Sequence, residues 1–240
     1  MCVNKFLPAA VLFVAIAAGA WPKEATESTT TTAAKGTPTK KSPPKGPVVI
    51  IEEAAKKNAQ AKEPVAIVER TVIQVLKVIA DPAYQDSSQK KKMREKIRSM
   101  LLETVDIKTV SVLTLANYRS KFSNEQFEKF SELFSRLLFS TYITHLEKYS
   151  DEKVLITGTE SLSDTRIVVK TNTVSSTKQI PIEFSFLKEG QKWLLYDVHI
   201  EGVSLVRNYR SQFREILLNK SADQFLERLR SKVDENENKL

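Results

Sequence analysis

Apolar residues recur along this chain with two different periods, and the change of period divides it. In VAIVERTVIQVLKVIA, residues 65–80, Val65, Val68, Val72, Val75, Leu76 and Ile79 fall on one stripe of a 3.6-residue repeat, which predicts an amphipathic helix. Pro64 suits its first turn, and Pro82 follows its end. A second helix over about 88–103 repeats Met93, Ile97 and Leu101 four apart, and a short third begins near Asp106. Ser123 and Gln126 form a capping box, predicting a long helix that reaches about residue 149. Its face carries Phe127, Phe130, Phe134, Leu137, Leu138, Thr141, Tyr142 and Leu146. That stripe is wide and aromatic, suited to a large core or a pocket wall.

From Lys153 the period falls to two. RIVVKTNTV and IPIEFSFL read as antiparallel strands, with Ile182, Phe184 and Phe186 facing one side of the sheet. Pro181 places its position at an edge or a strand start. Glu189 and Gly190 supply a turn, and KWLLYDVHIEG is the next strand, broken by Gly202. Ser204 then caps a helix over about 205–218, and a last helix over about 222–233 turns Phe225, Leu226 and Leu229 inward. Helices, a meander and helices again predict an α+β domain over residues 48–240, with no internal repeat.

The residues before it have a different character. MCVNKFLPAAVLFVAIAAGA has one lysine, an apolar run and small residues at its end, the pattern of a secretory signal peptide cleaved after Ala20. The run is shorter than the ~20 apolar residues that span a bilayer. Cys2 is the sole cysteine and leaves with this segment, so no disulfide or thiol site is expected. Residues 21–47 contain five prolines and a threonine run, with almost nothing to bury, and read as a disordered tether. This points to the periplasm of a bacterial envelope. The whole chain carries a formal charge of +8. Lys5, and the linker's five lysines against two glutamates, account for four of those, leaving +4 over residues 48–240. So mild an excess gives no support for a nucleic-acid partner. Lys90, Lys91 and Lys92 read as a solvated helix face.

Candidate chemistry narrows by elimination. The folded region has only Gly158, Gly190 and Gly202, too few for a phosphate-cradling loop or a dinucleotide fingerprint. Two histidines, His145 and His199, and no folded cysteine leave no recognisable metal set and no cofactor site. YDVHIEGVSLVRNYRSQF, residues 196–213, gathers Asp197, His199 and Ser204, but Ser204 has no nucleophile elbow and lies beyond a glycine bend. Asp197 and His199 share one face of a strand and could meet a further group, so an enzyme using that pair stays open. The simpler reading makes Asp197 an acceptor for backbone donors and Ser204 a helix cap.

YDVHIEGVSLVRNYRSQFREIL and VLTLANYRSKFSNEQFEKFSELFSRLLFSTYITHLEKY resemble the signature and middle helices of the MlaC family, periplasmic phospholipid shuttles also known as toluene-tolerance auxiliary transport components. The likeness runs from about Val65 to Leu229. The Thr/Pro/Lys linker is longer than the family pattern. The resemblance implies helices packed on a strongly twisted antiparallel sheet, related to the cystatin-like and nuclear-transport-factor-like folds. It also implies an apolar pocket for acyl chains and no catalysis. Partners implied are phospholipid, an inner-membrane transporter of ABC type with MCE domains, and an outer-membrane lipoprotein–porin complex. Phe134, Leu138 and Tyr142 opposite Ile182, Phe184 and Phe186 are the expected lining, between the long helix and the sheet. Tyr196, Val198, Leu205 and Tyr209 of the signature extend it. Arg207, Arg210 and Arg214, three and four apart, make a basic stripe for a phosphate headgroup or an acidic partner. A ligand-free structural adaptor with a filled core is the remaining alternative.

Overall fold

The structure is a computed structural model that describes residues 48–84, 86–148, 153–175 and 178–240. The signal segment and the linker lie outside the described residues, which fall within the compact unit Gly46–Leu240. A strand, not a helix, comes first. VVII forms β1 (Val48–Ile51), which pairs parallel with β2 (Lys153–Ser163), Val48 opposite Lys153 and Ile51 opposite Ile156. Four β-branched residues are too few to display a period, so the run carries no strand signal of its own. Next come β3 (Arg166–Val174), β4 (Gln179–Glu189), β5 (Lys192–Ile200) and β6 (Val203–Ser204), antiparallel and in sequence order across the sheet. The expected antiparallel sheet is thus mixed at its β1 edge.

Turn chemistry sets the registers. Gly190 opens the β4–β5 loop with φ 58°, the position at which a tight hairpin turn needs glycine. Between β5 and β6, Glu201 and Gly202 both take positive φ, as a type I′ turn requires. Pro181 sits two residues into β4, which is an interior strand. Its carbonyl accepts the Glu201 N–H at 3.0 Å, so the proline nitrogen faces the β5–β6 turn, just past the last β4–β5 pair, and breaks no ladder bond.

The helices are α1 (Glu53–Lys56), α2 (Lys62–Ile79), α3 (Ser87–Thr104), α4 (Ile107–Leu115), α5 (Asn124–Leu146), α6 (Leu205–Leu217) and α7 (Ala222–Glu237). Their starts are chemically marked. Asp86, Asp106, Ser123, Ser204 and Ser221 each accept a first-turn N–H, and Ser123–Gln126 and Ser221–Gln224 are full capping boxes. α7 continues four residues past its expected end. Its last turn is polar but tied down: the Arg136 guanidinium forks onto Glu237 at 2.7 and 3.0 Å, and Lys232 and Lys239 bracket Glu235.

Three apolar clusters fill the interior. α2 packs Ile67 and Val68 on Ile156, Val169, Phe186 and Trp193 of the sheet. α4, α5, α6 and α7 enclose an aromatic cluster around Phe130, Phe134, Phe213 and Phe225. The end of α2 meets α3 and α5 through Val75, Ile79, Tyr84, Ile97 and Ile143. Beside this third cluster the buried Arg94 forks its guanidinium onto Glu147 at 2.6 and 3.0 Å. Tyr84 donates to the same carboxylate at 2.6 Å, and Arg94 also donates to the Leu240 carbonyl. Burial would raise the Glu147 carboxyl, but hydrogen bonds from Arg94 and Tyr84 and the charges of Arg94 and Lys90 outweigh it and hold it below the usual range.

Candidate functional site

Between α2 and the sheet lies a cavity of about 170 Å³. α2 contributes Ile67, Val68, Thr71, Val72, Val75 and Leu76, and β4 faces them with Ile182, Phe184 and Phe186. Leu101 and Thr104 of α3, Val105 just beyond it and Leu146 at the end of α5 close one side. Val154, Thr171, Thr173 and Leu195 complete the wall. It is almost wholly carbon, and among the described residues no ionisable one lines it. Three of its four threonines, Thr71, Thr104 and Thr171, have hydroxyls engaged with the protein. Thr171 Oγ1 donates to the Ile182 carbonyl at 2.8 Å, Thr104 Oγ1 to the Met100 carbonyl at 3.4 Å, and Thr71 and Thr104 share a contact of 3.3 Å. Such a wall can take an apolar chain out of water but holds no acid, base or nucleophile. Among the described residues no group of three or more His, Cys, Asp or Glu could hold a metal ion.

The structure divides the residues singled out from the sequence. Ile182, Phe184 and Phe186 do line this cavity. Of the long helix, Leu146 reaches this wall at its last residue, whereas the expected Phe134, Leu138 and Tyr142 are not among the lining residues. Phe134, 1 % exposed, stacks on Phe130 at 5.4 Å between ring centroids and meets Tyr209 and Phe213 edge-on at 5.2 and 5.4 Å. Leu138 packs against the same cluster. The Tyr209 hydroxyl bonds Thr141 and Tyr142, and burial pushes both tyrosine hydroxyls up. Tyr196, Val198 and Leu205 are half-buried outside the wall. Rings of this size, packed edge to face, fill one another's space and leave none. The cavity instead opens where α2 offers aliphatic and threonine side chains, none of them aromatic, to a sheet face on which Phe184 and Phe186 have no ring opposite them among the described residues. Its α2 wall went unassigned in the sequence, although VAIVERTVIQVL shows the signal: a buried stripe without a single aromatic.

The polar corner is a helix-start device. Asp197 Oδ1 accepts from the backbone N–H groups of Val198 at 2.8 Å and Val206 at 3.1 Å. Ser204 Oγ donates to Asp197 Oδ2 at 2.5 Å and accepts from the Arg207 N–H at 3.0 Å. Two first-turn donors of α6 are thereby satisfied, with a carboxylate at the positive end of the helix dipole. His199 Nε2 stays 3.9 Å from Asp197 Oδ2, and its buried Nδ1 has no partner among the described residues. The serine thus bonds the aspartate directly, and no base stands between them as nucleophile activation requires. Of the basic stripe, Arg207 and Arg214 are exposed, whereas Arg210 Nε donates to the Leu113 carbonyl at 2.8 Å. None of the three reaches the cavity wall.

Residues 69–231 match the model of the MlaC protein family. The chain belongs to the MlaC family. It is 25 % identical over 197 residues to the intermembrane phospholipid transport system binding protein MlaC of Haemophilus influenzae, covering 79 % of this chain and 83 % of that one. Toluene tolerance protein ttg2D of Pseudomonas putida is 20 % identical over 176 residues, with 72 % and 81 % covered. A solved phospholipid-binding protein from Ralstonia solanacearum, in complex with a phospholipid, superposes with a TM-score of 0.63 at 20 % identity, covering 71 % of this chain and 97 % of that one. That likeness establishes a shared fold. MlaC membership and the geometry of the polar corner together set the enzymatic alternative aside.

Proposed function

We propose that this protein is a phospholipid carrier of the bacterial periplasm. It enters by a signal peptide cleaved after Ala20, is tethered or spaced by residues 21–47, and moves lipid between an outer-membrane lipoprotein–porin complex and an inner-membrane MCE-domain transporter. It needs no cofactor beyond its cargo. One observation carries the reading: an MlaC-family chain holds a cavity whose wall is almost wholly carbon. Each methylene costs ~0.8 kcal/mol to keep in water, so a sixteen-carbon chain costs on the order of 12 kcal/mol. A carrier without a membrane must offset most of that, and α2 with β4 offers the surface to do it. A cavity of about 170 Å³ is smaller than the ~300 Å³ at which ligand sites commonly begin. A whole phospholipid therefore requires the walls to part.

Organic extraction of the protein purified from its host, followed by mass spectrometry, tests this directly. Phospholipid near one molecule per chain is the expected result. Protein that yields no lipid from any preparation would end the carrier reading and leave the structural adaptor.

A further inference from the structure

Charge is unevenly spread over the folded region. α4, the turn Ala116–Lys121 after it, α6 and the loop of residues 218–221 carry Lys108, Arg119, Lys121, Arg207, Arg210, Arg214 and Lys220 against a single acid, Glu215. These segments are +6 within a region that is +4 overall, so everything else in residues 48–240 is −2. They are also neighbours in space. Arg210 Nε reaches the Leu113 carbonyl, and Lys121 Nζ reaches the Leu217 carbonyl, both at 2.8 Å. Lys108 is neutralised by Glu128 at 2.9 Å. Among the described residues, no acidic side chain forms an ion pair with the other six.

Two exposed aliphatic side chains belong to the same segments: Val112, 43 % exposed, and Leu218, 57 % exposed in the loop beside Lys220. A protein-binding hot spot centres on aromatic anchors, yet Tyr209, Phe213 and Phe122 here are buried and Tyr118 is half-buried. Aliphatic side chains among unpaired cations are instead the composition that settles at an anionic headgroup boundary. We propose that this face is a docking surface for an anionic phospholipid bilayer. α4 begins two residues after Val105, which lines the cavity, so docking here brings that side of the cavity toward the membrane. The purpose of docking rests on the carrier reading, but the docking itself is measurable without cargo.

The test is co-sedimentation of the protein, purified as its host produces it, with vesicles. One set holds equal parts phosphatidylglycerol and phosphatidylcholine, the other phosphatidylcholine alone. Retention on the anionic vesicles only, at ~0.01 M salt and lost by ~1 M, is expected as the screening length shrinks. Arg207 and Arg214 are exposed and make no side-chain bond among the described residues, so Arg207→Glu with Arg214→Glu keeps the fold and weakens retention at least about tenfold. Leu218→Asp weakens it independently. Lys92→Glu with Lys96→Glu on α3 makes the same charge change on another exposed face and leaves retention unchanged. Equal loss from both double variants would reduce the effect to net charge and overturn the face. No retention on anionic vesicles overturns the proposal outright. If binding to a purified membrane-protein complex then depended on Arg207 and Arg214, the face would belong to a protein partner instead. Whether lipid co-purifies is a separate readout, so the two readings fail separately.

Discussion

Two apolar regions share α5, and they differ in what their side chains leave behind. Around Phe130, Phe122 and rings from α5, α6 and α7 meet at centroid distances of 5.1 to 5.9 Å, most of them edge-on or tilted. Between α2 and β4, aliphatic and threonine side chains together with Phe184 and Phe186 enclose about 170 Å³. Hydrophobicity alone does not distinguish them. Shape does: around Phe130 rings from several elements interlock in more than one direction. Phe184 and Phe186 face only the branched and threonine side chains of α2, with no ring opposite among the described residues to fill the gap. The region of interlocked rings is a keystone, and the region between α2 and β4 is a container.

The sharpest way to break that contrast is Phe130→Ala. Phe130 is fully buried and touches four other rings. Its truncation is expected to lower stability by about 3–5 kcal/mol, measured by denaturant unfolding, while lipid per folded molecule is unchanged. Reduced lipid loading in the folded fraction would mean that the aromatic region belongs to the container after all.

Next in size is the clasp at the container's edge. Glu147 follows Leu146 of the cavity wall and receives Arg94 and Tyr84. Glu147→Gln removes the charge from these hydrogen bonds and is expected to cost about 2 kcal/mol near neutral pH. Because the folded carboxyl titrates below its ordinary ~4.3, its contribution is fully present above that value. It is lost as pH falls through the lower folded value. Wild type should therefore lose stability more steeply than the variant under acid, and parallel acid limbs would show that the clasp contributes nothing through ionisation.

The sequence made the frame of this contrast readable but not the contrast itself. Helix starts were legible because each is a local chemical event: Ser123 with Gln126, Asp106 and Ser204 all cap as their types require. Period separated α2 and α5 from the strands, and it put Ile182, Phe184 and Phe186 on one face. β1 escaped because four residues show no period. The place of the cavity escaped because a void depends on summed volumes across elements distant in sequence, here residues 67–76 against 182–186. The aromatic face of α5 reads as a pocket wall because it is wide and apolar, yet in the structure Phe130 and Phe134 pack on the rings of Tyr209 and Phe213 and not on this cavity.

Adding a ring sharpens the comparison from the other side. Val72 is half-buried and faces the cavity, so Val72→Phe has space to occupy and is expected to raise stability by about 0.5–2 kcal/mol. The same change is expected to reduce co-purified phospholipid severalfold. Destabilisation with undiminished lipid would show that the 170 Å³ is not where the chains go.

The smallest effect is expected at the polar corner, where Ser204→Ala tests structure against chemistry. A lost cap costs typically ~1 kcal/mol. Here Asp197 still accepts the Val206 N–H, so half of the first-turn satisfaction survives the change. Against that, Asp197 Oδ2 loses the serine hydroxyl at 2.5 Å and keeps only the distant His199. The two effects oppose, and a loss of about 1 kcal/mol or slightly less follows, read as a small drop in the denaturation midpoint. Lipid content should not move, because the corner lies outside the cavity wall. Lipid transfer that vanished while the melting temperature held would give Ser204 a role beyond capping, and the corner would have to be counted with the container.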